Sequence, residues 1–254
     1  MNPIPSGSSS DNSDRAMAAL EIRGLQAWYG ESHVLHGVDM TVHRGEVVTL
    51  LGRNGAGRST TLRAILGLTG ARRGSIRIEG RETIGLATHR IAHLGVGYCP
   101  EERGIFASLS CEENLLLPPT LRVPGAVEGK GMTLDEIYAM FPNLAERRDS
   151  QGTRLSGGEQ QMLAVARILR TGARLLLLDE ISEGLAPVIV QALARVIAML
   201  RERGFTIVMV EQNFRFAAPL ADRFYVMEHG RIVETFGASE LDGKMPVLQE
   251  LLGV

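Results

Sequence analysis

Short apolar runs alternate along the chain with segments in which apolar residues recur at helical spacing. The apolar runs predict strands at 21–27, 34–42, 46–51, 75–79, 95–99, 174–178, 206–210, 223–228 and 231–235. Helical spacing predicts helices at 58–66, 158–170 and 187–203. This alternation favours an α/β fold in which a parallel or mixed sheet is flanked by helices.

The stretch 101–156 has a different character, with helical patterns around 112–117 and 134–141 joined by a connector that contains Pro and Gly. We interpret it as a helical subdomain inserted into one domain that spans 19–254. Residues 1–18 are rich in Ser, Asn and Pro and are expected to form a disordered N-terminal tail, with Met17 as a second candidate for the translation start. The segment after Gly230 predicts a strand and short terminal helices of the same fold.

Composition narrows the class of protein. Of the 254 residues, 44% are hydrophobic and 22% are charged, and the formal net charge is −2. This balance is typical of a soluble α/β domain and does not indicate a nucleic-acid or anionic-membrane surface. Cys99 and Cys111 are too few for a disulfide framework, so we expect reduced thiols in a cytosolic protein. No apolar run approaches the roughly 20 residues that cross a bilayer, and no signal-peptide pattern is present, so a membrane would be reached through a partner.

A glycine-rich segment directly follows the apolar run 46–51 and precedes a predicted helix. Its residues are Gly52, Arg53, Asn54, Gly55, Ala56, Gly57, Arg58, Ser59 and Thr60. The order glycine, four residues, glycine, cation and hydroxyl is that of a phosphate-binding loop, whose glycines let successive N–H groups point at one anion beside a helix N-terminus. We expect the Ser59 hydroxyl to bind Mg²⁺ and Arg58 to neutralise the β- and γ-phosphates of a nucleotide. The alternative is an ordinary glycine-rich turn.

Arg58 departs from the phosphate-loop pattern, which has lysine at this position. The positive charge is kept, but a planar guanidinium replaces a compact ammonium group, and the two are not interchangeable at close range. We therefore expect nucleotide binding to persist. Efficient hydrolysis is left open, because the γ-phosphate must be held tightly in the transition state.

Two carboxylates end the apolar run 175–178. Asp179 at the strand tip is expected to hold Mg²⁺ through water. Glu180, which would point the other way in a strand, is expected to accept a proton from the attacking water. A pair of this kind is otherwise often a solvated strand end, and it is the phosphate loop elsewhere in the chain that favours the catalytic interpretation.

A short segment between these motifs identifies a family. It reads Leu155, Ser156, Gly157, Gly158, Glu159 and Gln160, and it resembles the signature sequence of ABC ATPases at that family's spacing. Physically it is a helix N-terminus with a hydroxyl and glycine amides free to bind phosphate. The resemblance covers 20–254 and implies the P-loop NTPase fold of an ABC nucleotide-binding domain, α/β with a mixed central sheet and an inserted helical subdomain.

The resemblance implies that two such domains lie head to tail with two ATP molecules between them. The cofactors are then ATP and Mg²⁺. In this family the segment containing Ser156, Gly157, Gly158 and Glu159 contacts the γ-phosphate of the ATP that the opposite subunit holds, so neither site is complete alone.

Other site residues follow from the resemblance one at a time. Tyr29 matches the aromatic that stacks on adenine, although a lone Tyr is more often part of a core. The segment 182–187 resembles the loop that joins the two sites. Glu101 stands where the family usually has a Gln that binds the metal and contacts the membrane partner. Gln212 stands at the position of the switch His, where it could orient the γ-phosphate but could not carry a proton.

Glu101, Gln212 and the segments 100–106 and 184–187 resemble the smaller ATP-binding subunit of branched-chain amino-acid importers. This implies an ATPase that couples ATP-driven dimer closure to solute uptake. The implied partners are a different ATP-binding subunit in a heterodimer, two transmembrane permease subunits and, indirectly, a periplasmic solute-binding protein. No nucleic-acid partner is expected, and the chain would lie on the cytoplasmic face of the inner membrane, held there by the permease.

Two other functions stay open from the sequence. Urea-importer subunits also resemble the segments 29–33 and 52–55, but they usually have Gln at the position of Glu101. A nucleotide-binding regulator would close on ATP and scarcely hydrolyse it. Soluble ABC proteins of translation carry two such domains in tandem and DNA-repair relatives carry long coiled coils, and this sequence shows neither pattern. The transported solute is not encoded in an ATP-binding subunit.

Overall fold

The structure is a computed structural model, and it describes residues 17–119 and 131–252 of the chain. Within them the strands are β1 (Ala18–Tyr29), β2 (Ser32–His43), β3 (Val47–Gly52), β4 (Ala71–Ile78), β5 (Arg81–Glu82), β6 (Val96–Cys99), β7 (Leu175–Asp179), β8 (Thr206–Val210), β9 (Arg223–Glu228) and β10 (Arg231–Gly237). The α-helices are α1 (Arg58–Leu66), α2 (Thr88–Ala92), α3 (Cys111–Leu116), α4 (Leu134–Met140), α5 (Pro142–Glu146), α6 (Gly157–Arg170), α7 (Pro187–Glu202), α8 (Phe214–Ala217) and α9 (Leu241–Leu252). Single 3-10 turns lie at Gly152–Arg154 and Ala238–Glu240.

The larger sheet is mixed and has the strand order β10-β9-β3-β8-β7-β6. Strand β3 runs parallel to both of its neighbours, β7 runs parallel to β6 and β8, and β10 pairs antiparallel with β9. Every residue of β3 and of β7 is buried. Strands covered on both faces are continuous apolar runs, which is the pattern that the sequence shows. The predicted α/β fold with a mixed sheet is confirmed.

A second sheet is antiparallel and has the order β2-β1-β4-β5. The apolar pattern does not separate it from the larger sheet. Pairing between strands is decided by contacts far apart in the chain, such as Leu20 with Ile78 and Ile22 with Met40. The short elements β5, α2, α5 and α8 are also missing from the sequence-based prediction, because elements of two to five residues carry almost no periodic signal.

The chain between β6 and α6 is helical where it is described. Helices α3, α4 and α5 pack with α6 around one apolar cluster that includes Leu115, Ile137, Leu144 and Leu163. Both α3 and α4 begin with a capping box, in which a hydroxyl and a Glu three residues later satisfy each other's backbone N–H groups. Residues 120–130, which hold much of the predicted connector, lie outside the described residues.

The first residues of the fold lie close to the predicted domain boundary. Residues 1–16 of the predicted tail are outside the described residues, and β1 begins at Ala18, one residue before the predicted start of the domain. The carbonyl of Met17 accepts a hydrogen bond of 3.1 Å from the N–H of Arg44. Cys99 and Cys111 are buried free thiols. Among the described helices none has both the length and the apolar character needed to cross a membrane.

Three parallel strands of the larger sheet end at the same edge. Strands β3, β7 and β8 end at Gly52, Asp179 and Val210, and the register pairs Val210 with both Leu50 and Asp179. The loops that leave these strands therefore meet. In open α/β sheets this carboxyl edge is where ligands bind.

Candidate functional site

A cavity of about 370 Å³ opens at this edge. It is lined by Val34, Asn54, Gly55, Gly57, Arg58, Ser59, Thr60, Glu101, Glu180, Glu183 and Gln212. The fold thus brings most of the predicted phosphate loop together with the predicted base, the predicted switch residue and Glu101.

The loop before α1 requires its glycines. Gly55 and Gly57 have φ angles of 79° and 106°, in the left-handed region that favours glycine. A Cβ atom on Gly57 would lie 2.9 Å from a methyl group of Leu35. A Cβ atom on Gly52 would lie 2.5 Å from the carbonyl oxygen of Met227. The tight turn that sequence reasoning expected is therefore imposed by both backbone conformation and packing.

Ser59 and Asp179 are in direct contact. The Ser59 hydroxyl donates to Asp179 Oδ1 at 2.8 Å, and the Tyr98 hydroxyl donates to Oδ2 at 3.1 Å. Burial raises the pKa of Asp179 above its ordinary value, against the effect of these two hydrogen bonds. A hydroxyl and a carboxylate are hard oxygen ligands of the kind that Mg²⁺ takes beside nucleotide phosphates, so the residues present fit the predicted metal.

Arg58 is buried and is held by protein groups. Its Nη1 donates to the carbonyl oxygen of Glu211 at 2.8 Å, and its Nη2 donates to Glu180 Oε1 at 2.8 Å and to Asn54 Oδ1 at 3.2 Å. The side chains of Arg58 and Glu180 are only 4% and 9% exposed. Sequence reasoning gave Arg58 a phosphate partner, and it did not foresee this ion pair with the predicted base.

Glu180 reaches the cavity in a way that the sequence analysis described wrongly. We expected strand alternation to turn it away from Asp179, but β7 ends at Asp179 and Glu180 has a φ of 49°. A left-handed residue at the strand end, whose N–H donates to the Val210 carbonyl at 2.9 Å, is what directs the side chain. The Nε2 of Gln212 donates to Glu180 Oε2 at 3.1 Å, so the predicted base and the predicted switch residue are neighbours.

Glu183 lies in the segment 182–187 that sequence reasoning singled out, but its place in the cavity beside Glu180 was missed. Carboxylate oxygens of Glu101, Glu180 and Glu183 all lie within 4.8 Å of one another, an arrangement that could hold a cation. A hydrogen bond with Glu180, together with burial, raises the pKa of Glu183 to about 7. Burial and the neighbouring carboxylates also raise the pKa of Glu101. The available signal was the presence of a third acid only three residues after Glu180.

Glu211 is a second missed residue, and it lies beneath the site. It is 1% exposed. Its carboxylate accepts hydrogen bonds from the Ser182 N–H at 3.2 Å and from the Ser182 hydroxyl at 2.8 Å. Burial raises the pKa of Glu211 to about 7. The carboxyl joins the loop after Glu180 to the loop that carries Gln212.

Tyr29, the predicted adenine platform, is 39% exposed at the end of β1. Interaction with Tyr98, and to a smaller extent with Tyr29, raises the pKa of Arg63 in α1. Arg63 also forms an ion pair of 3.4 Å with the exposed Glu102. Because Tyr98 donates to Asp179, Arg63 connects the predicted adenine platform to the predicted metal site. Nothing in the local sequence around Arg63 indicated this role.

The side chain of Arg53 points to a different partner from the one expected for a phosphate-loop residue. Its Nε donates to the carbonyl of Leu251 at 3.0 Å and its Nη2 to the carbonyl of Glu250 at 3.2 Å. These are carbonyls at the C-terminal end of α9, where a cation is favourable. The side chain thus holds α9 against the loop, which leaves the Arg53 backbone for any contact with phosphate.

The signature segment begins α6, away from the cavity. The Ser156 hydroxyl accepts from the Glu159 N–H at 3.3 Å, and Glu159 Oε2 accepts from the Ser156 N–H at 2.7 Å. Ser156 and Gly157 are exposed, whereas Gly158 is buried beside Ile189. The residues that line the cavity do not include this segment. The chain by itself does not bring the signature to the phosphate loop, in agreement with the implied need for a second subunit.

Comparison with known proteins agrees with this geometry. The family model of the ABC transporter matches residues 35–183, which is more than half of the chain. The high-affinity branched-chain amino acid transport ATP-binding protein BraG of Pseudomonas aeruginosa is 44% identical over 84% of this chain and 91% of its own length. The lipopolysaccharide export system ATP-binding protein LptB of Escherichia coli is 33% identical over 85% of this chain and 90% of its own length.

Among solved structures, the dimeric post-hydrolysis state of an ATP-binding cassette with ADP and Pi superposes with a TM-score of 0.74. The match covers 86% of this chain and 98% of that one at 22% identity, so it shows the fold alone. The family model, the two relatives and the joined phosphate loop and carboxylates all agree: the chain belongs to the ABC transporter family as an ATP-binding subunit with ATPase activity.

Proposed function

We propose that this chain is the ATP-hydrolysing subunit of a bacterial importer for branched-chain amino acids. Two observations support the choice of solute. The identity to a branched-chain amino-acid transport subunit is 44%, against 33% for the lipopolysaccharide export subunit. The residues at 101 and 212 that depart from the general family pattern match this importer branch.

The observation that carries the catalytic proposal is the single cavity shared by Arg58, Ser59, Glu180 and Gln212. The N–H groups of the loop and the N-terminus of α1 would hold the nucleotide phosphates. Tyr29, exposed at the end of β1, would stack on adenine. Glu180 would take the proton of the attacking water, and Gln212, already bonded to Glu180, would orient that water or the γ-phosphate.

Mg²⁺ held by Ser59 and Asp179, with Glu101 nearby, would neutralise charge on the β- and γ-oxygens. The contact of 2.8 Å between the Ser59 hydroxyl and Asp179 supports this ligand pair. Asp179 is fixed by Tyr98, which limits the number of orientations that its carboxylate can adopt.

A second subunit completes each site in this proposal. ATP-binding domains of this family form dimers and work with transmembrane permease subunits. The exposed Ser156 and Gly157 at the start of α6 are available to the γ-phosphate of ATP bound by a partner subunit in a head-to-tail dimer, and Gly158 and Glu159 follow them in the same helix turn. We take the partner to be a different ATP-binding subunit.

Contact with the permease is supported by apolar side chains that a folded domain ordinarily buries. Phe106, Leu116 and Leu117 are 47%, 54% and 50% exposed, on the helical region that follows Glu101. A helix of a permease placed against this surface would bury them and hold the chain at the cytoplasmic face of the membrane. A periplasmic solute-binding protein would then deliver the amino acid from the other side.

Export is the second candidate, and the LptB relatives are the observation that favours it. The two directions differ in the permease, so the experiment must contain it. The chain is reconstituted in proteoliposomes with its permeases, its second ATP-binding subunit and the solute-binding protein. ATP-dependent uptake of labelled leucine is expected for the wild type and is expected to fall with Glu180→Gln.

The matched control is Glu202→Gln, the same chemical change at an exposed glutamate at the end of α7. Its uptake should equal that of the wild type. ATP hydrolysis without uptake of any branched-chain amino acid would refute the assigned solute while leaving the ATPase in place. Unchanged hydrolysis in Glu180→Gln would refute the role given to the base.

A further inference from the structure

Arg58 uses its guanidinium to join three parts of the site. Nη1 donates a hydrogen bond to a backbone carbonyl of the loop that carries Gln212. Nη2 donates hydrogen bonds to Asn54 of the phosphate loop and to Glu180. A planar fork with several donors can make such contacts at once, which a single ammonium group on a shorter stem does less readily. The substitution of arginine for lysine therefore changes what the cation can contact when no nucleotide is bound.

Both oxygens of the Glu180 carboxylate have donors. Oε1 accepts from Arg58 at 2.8 Å and Oε2 accepts from Gln212 at 3.1 Å. Because the ion pair is almost fully buried, water screens it little. A carboxylate whose two oxygens are both occupied by such donors has less room to accept a hydrogen bond from an attacking water. The geometry that holds Arg58 also makes the base unavailable.

Nucleotide phosphates would compete with Glu180 for the same cation. A phosphate group offers several charged oxygens and binds a guanidinium at least as well as a carboxylate does. Movement of the guanidinium toward a phosphate oxygen would take Nη2 away from Glu180. Glu180 would then be released from the ion pair and would keep the hydrogen bond from Gln212.

We propose that Arg58 is an exchangeable latch: it pairs with Glu180 and blocks the base in the nucleotide-free subunit, and nucleotide phosphate removes it. The inference rests on the proposed function of this site as an ATPase centre. It adds a form of regulation, because the base becomes available only after the nucleotide has arrived. It also makes nucleotide binding weaker than the phosphate loop would otherwise allow, since the ion pair must be broken first.

A double-mutant cycle on ADP affinity tests the latch. The full chain is used at a concentration at which it is monomeric, and ADP with Mg²⁺ is the probe because it is not hydrolysed, so the catalytic role of Glu180 does not enter. The four proteins are the wild type, Glu180→Gln, Arg58→Ala and the double variant. Calorimetric titration gives each dissociation constant, and far-ultraviolet circular dichroism confirms that each protein is folded. Arg58→Gln replaces Arg58→Ala if the latter does not fold.

In the presence of Arg58, Glu180→Gln is expected to tighten ADP binding about tenfold, since a hydrogen-bonded ion pair no longer opposes the phosphate. In the Arg58→Ala background the same change should alter affinity about twofold or less, because only the general repulsion between Glu180 and phosphate is removed. The ratio of these two changes in ADP affinity measures the coupling between Arg58 and Glu180.

Glu183→Gln is the matched control. It makes the same chemical change in the same cavity, but in the described structure the ion pair of Arg58 is with Glu180, and the titration is run well above pH 7 so that Glu183 is ionised. Equal tightening by Glu183→Gln and Glu180→Gln would overturn the latch, as would equal effects of Glu180→Gln in the two backgrounds. A wild-type chain that binds no ADP would overturn the proposed function itself and the latch with it, so the two failures are distinct.

Discussion

Glu211→Gln should change how the stability of this subunit depends on pH. Burial moves the pKa of Glu211 from 4.5 to about 7. Between these values the folded chain keeps a proton that the unfolded chain has released. The contribution of Glu211 to the free energy of unfolding is therefore fully present below pH 4.5, and it is lost progressively as the pH rises to about 7. With about 1.4 kcal/mol for each pH unit, the loss from this one residue is about 3 kcal/mol.

Glutamine cannot ionise, so the variant should lack this part of the pH dependence. The amide oxygen can still accept from the Ser182 N–H, which limits the cost of the change to a roughly constant offset of about 1 kcal/mol. Urea unfolding at pH 5, 6, 7 and 8 gives the free energy of unfolding of both proteins. The difference between variant and wild type is expected to shift in favour of the variant by about 2–3 kcal/mol from pH 5 to pH 8.

Glu183 also titrates near pH 7, but it is present in both proteins, so its contribution cancels in the difference. Glu202→Gln, the same chemical change at an exposed position, serves as the control. Parallel pH profiles for the wild type and Glu211→Gln would refute the reasoning, because they would mean that the buried carboxyl has the same pKa in the folded and unfolded chains.

Three further changes test the packing, the nucleotide binding and the helix contacts around the site. Gly158→Ala should lower the free energy of unfolding by about 1–3 kcal/mol in thermal or urea denaturation, since its Cβ would lie 2.7 Å from Ile189. In Gly157→Ala the added Cβ would meet only the end of an arginine side chain, at 3.3 Å, so the free energy of unfolding should fall clearly less. Equal losses of stability in the two variants would contradict the packing argument. Tyr29→Ala should weaken ATP binding about tenfold in a titration, whereas Tyr29→Phe keeps the ring and should bind nearly as the wild type does. Arg53→Ala should accelerate hydrogen exchange of the last turn of α9, and unchanged exchange would show that the two carbonyl contacts do not hold the helix.

The fold was largely predictable because its main elements carry strong local signals. The predicted bounds of α1, β8 and β9 agree with the structure. A fully buried strand such as β3 is readable as a continuous apolar run, and a glycine-rich turn between that strand and a helix has few alternatives. Strand pairing was not readable, since the placing of β4 beside β1 in the antiparallel sheet depends on partners as far apart in the chain as Leu20 and Ile78.

The contacts within the candidate site were predictable only in part, for the same reason. Sequence motifs name residues such as Arg58 and Glu180 but do not say that these two form an ion pair across 122 positions of the chain. Arg63 and Glu211 belong to no motif that sequence reasoning could use, and Glu183 lies in the segment 182–187 without a role of its own; each gains its role from a neighbour brought close by the fold. Glu180 itself was directed by a left-handed backbone at the strand end, which a strand pattern does not encode.

The charge balance in the cavity explains why nucleotide binding by this subunit should depend strongly on Mg²⁺ and on the partner subunit. Among the described residues that line the cavity Arg58 is the one cation, and it faces the carboxylates of Glu101, Glu180 and Glu183. A nucleotide brings several more negative charges to the same place. Mg²⁺, protons on the carboxyl groups with raised pKa and the N-terminus of a partner's signature helix are the further sources of positive charge beyond Arg58 and the N-terminus of α1. Since only the first two can act before the subunits meet, the tightest nucleotide binding by this chain should require the closed dimer.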